Sequence, residues 1–91
     1  MTTGETIVKN KTGLHARPAA ALAKTAAKFK SKITIKNLDT GSEDVNAKSI
    51  VTILTLGMSK GVKISISADG EDAEDAVSTL ISLIDEGFGE L

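Results

Sequence analysis

Strands are predicted where apolar residues occupy every second position. This spacing runs through residues 31–37 and 62–68, and each stretch therefore predicts a strand with one face toward water. A short apolar pair within residues 5–9 indicates a first strand. Residues 39–44 are typical of a turn, and Val45 beyond them indicates a very short strand.

A first helix is predicted where the apolar spacing changes to three and four residues. Leu22, Ala26 and Phe29 share one side of it, and its first residue is expected at about His15 or Ala16. The chain's single proline falls in the first turn of this helix. A proline is tolerated there because its missing N–H has no intrahelical partner to lose.

Two further helices differ in how clearly the chain predicts them. Residues 73–84 carry apolar side chains on one stripe, and the acidic residues at 71–75 favour the positive end of that helix's dipole. Gly87 is typical of a helix stop, with Phe88 folding back onto the last turn. Residues 46–56 fit a short helix capped by Ser49, although their β-branched residues also permit a strand.

The order of these elements predicts the fold class. Strands that are apolar on one face need helices on that face alone, so we expect an open-faced antiparallel sheet with helices packed on one side. The class is α+β, and one domain is expected to span residues 1–91 because no linker, repeat or low-complexity segment interrupts the chain.

Composition narrows the classes of function. The chain is 41% apolar, yet it has two Phe and no Trp or Tyr, which predicts an aliphatic core with close helix contacts. The absence of Cys excludes disulfides, thiol nucleophiles and thiolate metal sites. Residues 1–8 lack the pattern of a signal peptide, and no apolar run could span a membrane, so a cytoplasmic location is expected.

The charges are divided along the chain. Residues 1–63 hold all 11 basic residues and four acidic ones, a net charge of +7, whereas residues 64–91 hold eight acidic residues. Such asymmetry suggests nucleic-acid binding by the first part. The chain lacks stacking aromatics and has a single Arg, and these features argue against that function.

The one histidine stands where a phosphate could bind. His15 follows Gly13 and precedes a helix start, whose first amides point outward and attract anions. Arg17, two residues on, can bind phosphate oxygens by paired hydrogen bonds. These groups suit a phosphohistidine, formed when the ring acts as a nucleophile.

Other interpretations of His15 stay open from the residues alone. It could be a helix cap or an ordinary surface residue. No metal site is expected, because one His without Cys would need carboxylate help and the nearest acids, Glu5 and Asp39, lack ligand spacing. A hydrolase is weakly supported. No acidic residue stands next to His15 to orient it, and Ser31 or Ser49 could approach it only if the fold brought them together, which the sequence does not establish.

Two ordered segments resemble a known family. Residues 13–20, Gly-Leu-His-Ala-Arg-Pro-Ala-Ala, are similar to the active-site segment of the HPr family, the histidine-containing phosphocarriers of the bacterial phosphoenolpyruvate:sugar phosphotransferase system. Lys48-Ser49-Ile50, Leu56-Gly57 and Lys60-Gly61 resemble that family's second segment. The resemblance implies an open-faced β-sandwich of four antiparallel strands and three helices. The turn over 38–45 is longer than is usual in the family.

The resemblance also implies a function. His15 would take a phosphoryl group from enzyme I on its Nδ1 atom and pass it to EIIA domains of sugar permeases. Arg17 would help hold or release the phosphoryl group, Pro18 would hold the helix start, and Thr12 and Ala16 would support the site. Such a protein is a carrier and not an enzyme, and it needs no cofactor.

Ser49 has a structural and a regulatory interpretation. As an N-cap, its hydroxyl would accept from the amides of the short helix and stabilise it by about 1 kcal/mol. The resemblance implies that this serine is a target of HPr kinase/phosphorylase in some bacteria. A phosphate there would add charge beside the docking residues.

A partner-binding patch is predicted beside His15. If the short helix buries Ile53 and Leu56, several other apolar residues of that helix must stay exposed, and such a patch rimmed by charge marks a protein-binding surface. Lys28 fits a solvated helix face equally well. The predicted partner-binding residues are Ala20, Lys24, Lys48, Ile50, Val51 and Leu54.

Two rivals to the sugar phosphocarrier remain. One is a regulatory binding module that presents phosphorylated Ser49 to a transcription regulator. The other is a carrier of the nitrogen-related branch of the same system. A monomer is expected for all of them.

Overall fold

Four antiparallel strands form one sheet in the computed structural model, which describes residues 1–89. The strands, in the sheet order β1-β4-β2-β3, are β1 (Thr2–Ile7), β4 (Lys63–Asp69), β2 (Lys32–Asn37) and β3 (Val45–Asn46). The helices are α1 (Ala16–Ala26), α2 (Ile50–Leu54) and α3 (Ala73–Asp85). The predicted fold class, an open-faced α+β sandwich, is confirmed.

The sheet has one apolar face, and the core lies between it and the helices. Ile33, Ile35, Ile64 and Ile66 are all fully buried, while Thr34 and Ser65 between them are half-buried. The core is aliphatic, as predicted, with small alanines of α1 among its buried residues. Among residues 1–89, none of the helices has the length and hydrophobicity that a membrane span requires.

The first strand was predicted too late in the chain. Residues 5–9 were expected, but β1 pairs with β4 from Thr2 opposite Ala68 to Ile7 opposite Lys63. Backbone hydrogen bonds form this ladder, so polar side chains do not prevent it. Val8 is buried beyond the strand end, where its carbonyl accepts from the Gly61 N–H at 2.8 Å.

The ambiguous segment after β3 is a helix, as the cap signal predicted. The Ser49 hydroxyl accepts from the Thr52 N–H at 3.4 Å, and α2 begins at the next residue. Ile53 is fully buried whereas Val51 is 73% exposed. The alternative of a strand is therefore wrong.

Asp72, at the start of α3, has a different role from the one that the helix dipole predicted. Asp72 occupies the N-cap position without making a side-chain cap hydrogen bond. Its carboxylate instead accepts from the Lys30 N–H at 2.8 Å, from the Ser31 N–H at 3.0 Å and from the Ser31 hydroxyl. These hydrogen bonds hold the pKa of Asp72 below its usual value, with the Ser31 hydroxyl as the largest cause. Asp72 therefore ties α3 to the chain between α1 and β2.

The end of α3 follows the prediction. Gly87 and Phe88 both adopt positive φ, at 63° and 57°, in a short 3₁₀ turn after the helix. Phe88 is half-buried and packs against the core.

Candidate functional site

His15 is the N-cap residue of α1, which is the position predicted for it. Its backbone is extended, and its carbonyl accepts the first helical hydrogen bond from the Ala19 N–H at 2.9 Å. The imidazole makes no cap hydrogen bond to the helix, and the residue is exposed. The side chain of His15 is thus not used to cap α1, which removes one of the plain structural roles open to it.

The residues after His15 leave the first turn of α1 accessible. Ala16 and Arg17 are exposed, and their amides precede the first intrahelical hydrogen bond. Pro18 is buried and contributes no N–H, so it anchors the turn without adding a donor. Arg17, the basic residue of this turn, stands two positions after His15, and its positive charge and the N–H groups at the start of the helix both favour an anion there.

The loop before His15 is held by two neighbours. The Asn10 amide donates to the Gly13 carbonyl at 2.7 Å, and the Gly13 N–H donates to the Asn10 carbonyl at 3.0 Å. The Leu14 N–H donates to the Met58 carbonyl at 2.8 Å. His15 therefore follows a loop that is fastened to the segment after α2, and sequence reasoning missed both Asn10 and Met58.

Helix α2 packs beside α1 and exposes apolar side chains. Ile50, Val51 and Leu54 are 41%, 73% and 43% exposed, while Ile53 of the same helix is fully buried. This exposure agrees with the predicted patch. Ala20, on α1, is half-buried.

The lysines of the predicted rim differ from one another. Lys24 and Lys28 are exposed on α1 and its C-terminal turn. Lys48 is half-buried, and its ammonium donates to the Phe29 carbonyl at 2.8 Å. Lys48 therefore has a structural contact as well as a predicted role at the docking surface. The residues around Lys48 in the sequence contain no signal for the hydrogen bond to Phe29.

Ser49 lies in a hydrogen-bonded segment between β3 and α2. It is half-buried, and its hydroxyl caps α2 as described above. The Thr52 hydroxyl donates to the Asn46 carbonyl at 2.7 Å, and the Asn46 side chain accepts from the Lys48 N–H at 2.9 Å. Hydrogen bonds of the residues before and after Ser49 therefore fix its position.

A buried side-chain amide connects the sheet to the residues that follow α2. Asn37 is 1% exposed, and its side-chain N–H donates to the Leu56 carbonyl at 2.9 Å. Its side-chain oxygen accepts from the N–H groups of Asp39 and Thr40, at 3.0 and 3.2 Å. Asn37 joins the end of β2 to the end of α2. The Asn-x-Asp-Thr-Gly turn pattern was the signal that could have identified it.

The described residues do not offer a metal site. Across residues 1–89, no group of three or more His, Cys, Asp and Glu side chains could hold a metal ion.

Thr12, which was predicted to support the site, is exposed in the loop before His15.

Comparisons with known proteins match nearly the whole chain. A family model described as "PTS HPr component phosphorylation site" matches residues 2–86. The phosphocarrier protein HPr of Xylella fastidiosa is 44% identical over 86 residues, covering 94% of this chain and 93% of that protein. The multiphosphoryl transfer protein of Haemophilus influenzae is 45% identical over 87 residues, which are 96% of this chain but 17% of that protein.

Solved structures agree in fold. The crystal structure of HPr-C-His from Thermoanaerobacter tengcongensis superposes with a TM-score of 0.92 at 46% identity, covering 100% of this chain and 99% of that one. The structure of HPr from Bacillus anthracis gives 0.84 at 37% identity, with 91% and 95% covered. The chain spans 17% to 23% of the length of the first multiphosphoryl transfer proteins it matches.

Proposed function

The chain belongs to the HPr family of the phosphotransferase system, and from this premise we propose that it carries the phosphoryl group on His15. The observation that carries the proposal is the placement of His15, which is exposed at the N-cap of α1, two residues before the exposed Arg17. An exposed nucleophile on a helix start suits a group handed between proteins, because the partner can bring its own phosphoryl group to the ring.

The transfer we propose forms one bond to phosphorus and breaks another. The lone pair of the His15 Nδ1 atom attacks phosphorus, an N–P bond forms, and the bond between phosphorus and its previous carrier breaks. Arg17 and the outward amides of the first turn offset the negative charge of the phosphoryl oxygens. Transfer to the acceptor is the same step in the reverse sense, with His15 as the leaving group.

The donor and acceptor are proposals that extend the family role. Enzyme I, charged by phosphoenolpyruvate, would supply the phosphoryl group, and EIIA domains of sugar permeases would receive it. Docking would use the exposed side chains of Ile50, Val51 and Leu54, with Lys24 on the rim for an acidic partner. We also propose that residues 1–91 act as one domain, as a monomer, in the cytoplasm, and without nucleic acid.

Labelling with phosphoenolpyruvate tests this function. Incubation with enzyme I is expected to give one acid-labile phosphate per chain, absent in His15→Ala. Arg17→Ala keeps the acceptor and should label more slowly. Label that survives in His15→Ala would overturn the assignment. Comparing the sugar-branch and nitrogen-branch forms of enzyme I as donors separates the two branches.

A second function rests on Ser49. Its half-buried hydroxyl lies at the start of the helix that bears the apolar patch, so a phosphate there would change the charge of the docking surface. HPr kinase/phosphorylase would modify it, and a transcription regulator would read it. Regulator binding that is lost in Ser49→Ala but kept in His15→Ala would support this role. Binding that is unaffected by Ser49→Ala would refute it.

A further inference from the structure

A groove beside β2 and β3 is lined by three lysines. Its volume is about 640 Å³, and its basic lining residues are Lys30, Lys32 and Lys48. This volume falls within the usual range for small-molecule sites. The groove shares Lys48 with the predicted docking surface, but its lining includes no residue of the loop before His15 or of the first turn of α1, so it is separate from the position that would carry the phosphoryl group.

The lysines give the groove a positive charge. Lys30 and Lys32 are exposed, and within residues 1–89 neither makes an ion pair, although Lys32 stands opposite Asp69 in the β2–β4 register. Lys48 uses one donor of its ammonium on the Phe29 carbonyl, which leaves two donors of that group. Against these three cations the lining has one acid, Asp44. The balance favours an anionic ligand of low charge.

The remaining polar side chains suit hydroxyl groups. Thr34 is half-buried, Asn46 is exposed and Asp44 is exposed, and all three line the same groove. A carboxylate accepts hydrogen bonds from hydroxyls and repels further negative charge. Asp44 therefore disfavours an acidic peptide or a nucleic acid, both of which would bring several anions past it.

We propose that this groove binds a small phosphorylated polyhydroxy compound. Its phosphate would lie among the ammonium groups of Lys30, Lys32 and Lys48, and its hydroxyl groups would bind Thr34, Asp44 and Asn46. The site would be a second ligand site of the chain, beyond its role as a phosphocarrier.

Titration of the ¹⁵N-labelled chain tests the proposal. With glucose 6-phosphate as the probe, we expect saturable amide shifts over residues 30–34 and 44–48. Inorganic phosphate and glucose, each added alone, are expected to bind more weakly. Lys32→Gln should raise the Kd about fivefold, since one charge-assisted contact is lost.

The matched control is Lys36→Gln. Lys36 lies on the same strand and face as Lys32 but does not line the groove, so its loss should leave the Kd unchanged. Equal affinity for inorganic phosphate would overturn the proposal in favour of a general anion site. Shifts confined to residues 12–17, or none at 20-fold excess over the chain, would also overturn it. Labelling of His15 is measured separately and does not depend on either result.

Discussion

Gly13 stands so close to Met58 that a Cβ on Gly13 would lie 2.5 Å from the Met58 carbonyl oxygen. The same carbonyl accepts the Leu14 N–H, and Gly13 has a φ of +68°. Two effects disfavour any side chain at position 13: its Cβ would clash with the Met58 carbonyl, and the positive φ strains residues other than glycine. The loop that presents His15 therefore depends on this close approach.

Gly13→Ala is expected to lower both stability and phosphorylation of His15. The strained φ and the contact together should cost about 2–4 kcal/mol in the free energy of unfolding. Gly41→Ala is the matched control, because Gly41 has a φ of +69° and nothing within 4 Å of its added Cβ. Urea unfolding of both variants isolates the Met58 contact. Equal losses in the two would show that the contact adds nothing.

Asp72→Asn is expected to weaken the pH dependence of stability in acid. The pKa of Asp72 is lowered in the folded chain, so its carboxylate stabilises the fold above the ordinary value of 3.8. That stability is lost as the pH falls through the lower folded value. The pKa of Asp85 is also lowered, first by its hydrogen bond from Lys9 at 2.8 Å, so part of the dependence should remain.

Thermal melts between pH 2 and 6 measure this effect. Asp75→Asn is the control, since it removes the same charge from an exposed position in the first turn of α3. The Tm of wild type should fall toward that of Asp72→Asn at the acid end. A constant Tm difference across the range would contradict a role for the ionised carboxylate.

Asn37→Leu is expected to cost about 2–4 kcal/mol in the free energy of unfolding, because it leaves the Leu56 carbonyl and two turn amides without their partner. Asn37→Asp divides the effect. It keeps the oxygen that accepts from Asp39 and Thr40 but removes the donor to Leu56. If Asn37→Asp were as stable as wild type, the Leu56 hydrogen bond would be worth nothing.

The sequence predicts what is local and misses what is distant. The start of α1, the Ser49 cap and the strand at 62–68 follow from residues a few positions apart, and the structure bears them out. The Lys48–Phe29 hydrogen bond joins residues 19 apart in the chain. The Asp72–Ser31 contact joins residues 41 apart. The spacing of apolar residues carries no information on such pairs, because they form only once the helices have packed on the sheet.

The candidate site divides in the same way. His15, Arg17 and Pro18 fall within four consecutive positions, so their placement at one helix start could be predicted from the motif. The neighbour that fastens the preceding loop, Met58, lies after α2 and could not. The first strand was misplaced because its pairing relies on backbone hydrogen bonds, while its apolar signal, Val8, lies just past its end.

Arg17→Ala is expected to slow phosphorylation of His15 at least tenfold, because a developing phosphoryl charge would lose its cation. Stability should change by less than about 0.5 kcal/mol, since Arg17 is exposed. Lys36→Ala removes an equal charge from β2, a strand that carries none of the predicted docking residues, and serves as the control. Rapid-quench labelling with enzyme I gives the rates. Equal slowing in both variants would point to general charge attraction instead.

Val51→Glu tests whether the exposed face of α2 docks the phosphoryl donor. Val51 is 73% exposed, so the substitution should change the free energy of unfolding by less than about 1 kcal/mol, while a buried carboxylate at an interface would be strongly unfavourable. The KM for this chain as a substrate of enzyme I is expected to rise about tenfold or more. The control is Ile7→Glu, which places the same charge on an exposed apolar residue. Ile7 lies on β1, next to β4 in the sheet, and is outside the α2 patch.

A rise in KM for Val51→Glu with none for Ile7→Glu would locate docking on α2. Equal rises would mean that the added negative charge, and not the lost apolar contact, weakens the encounter.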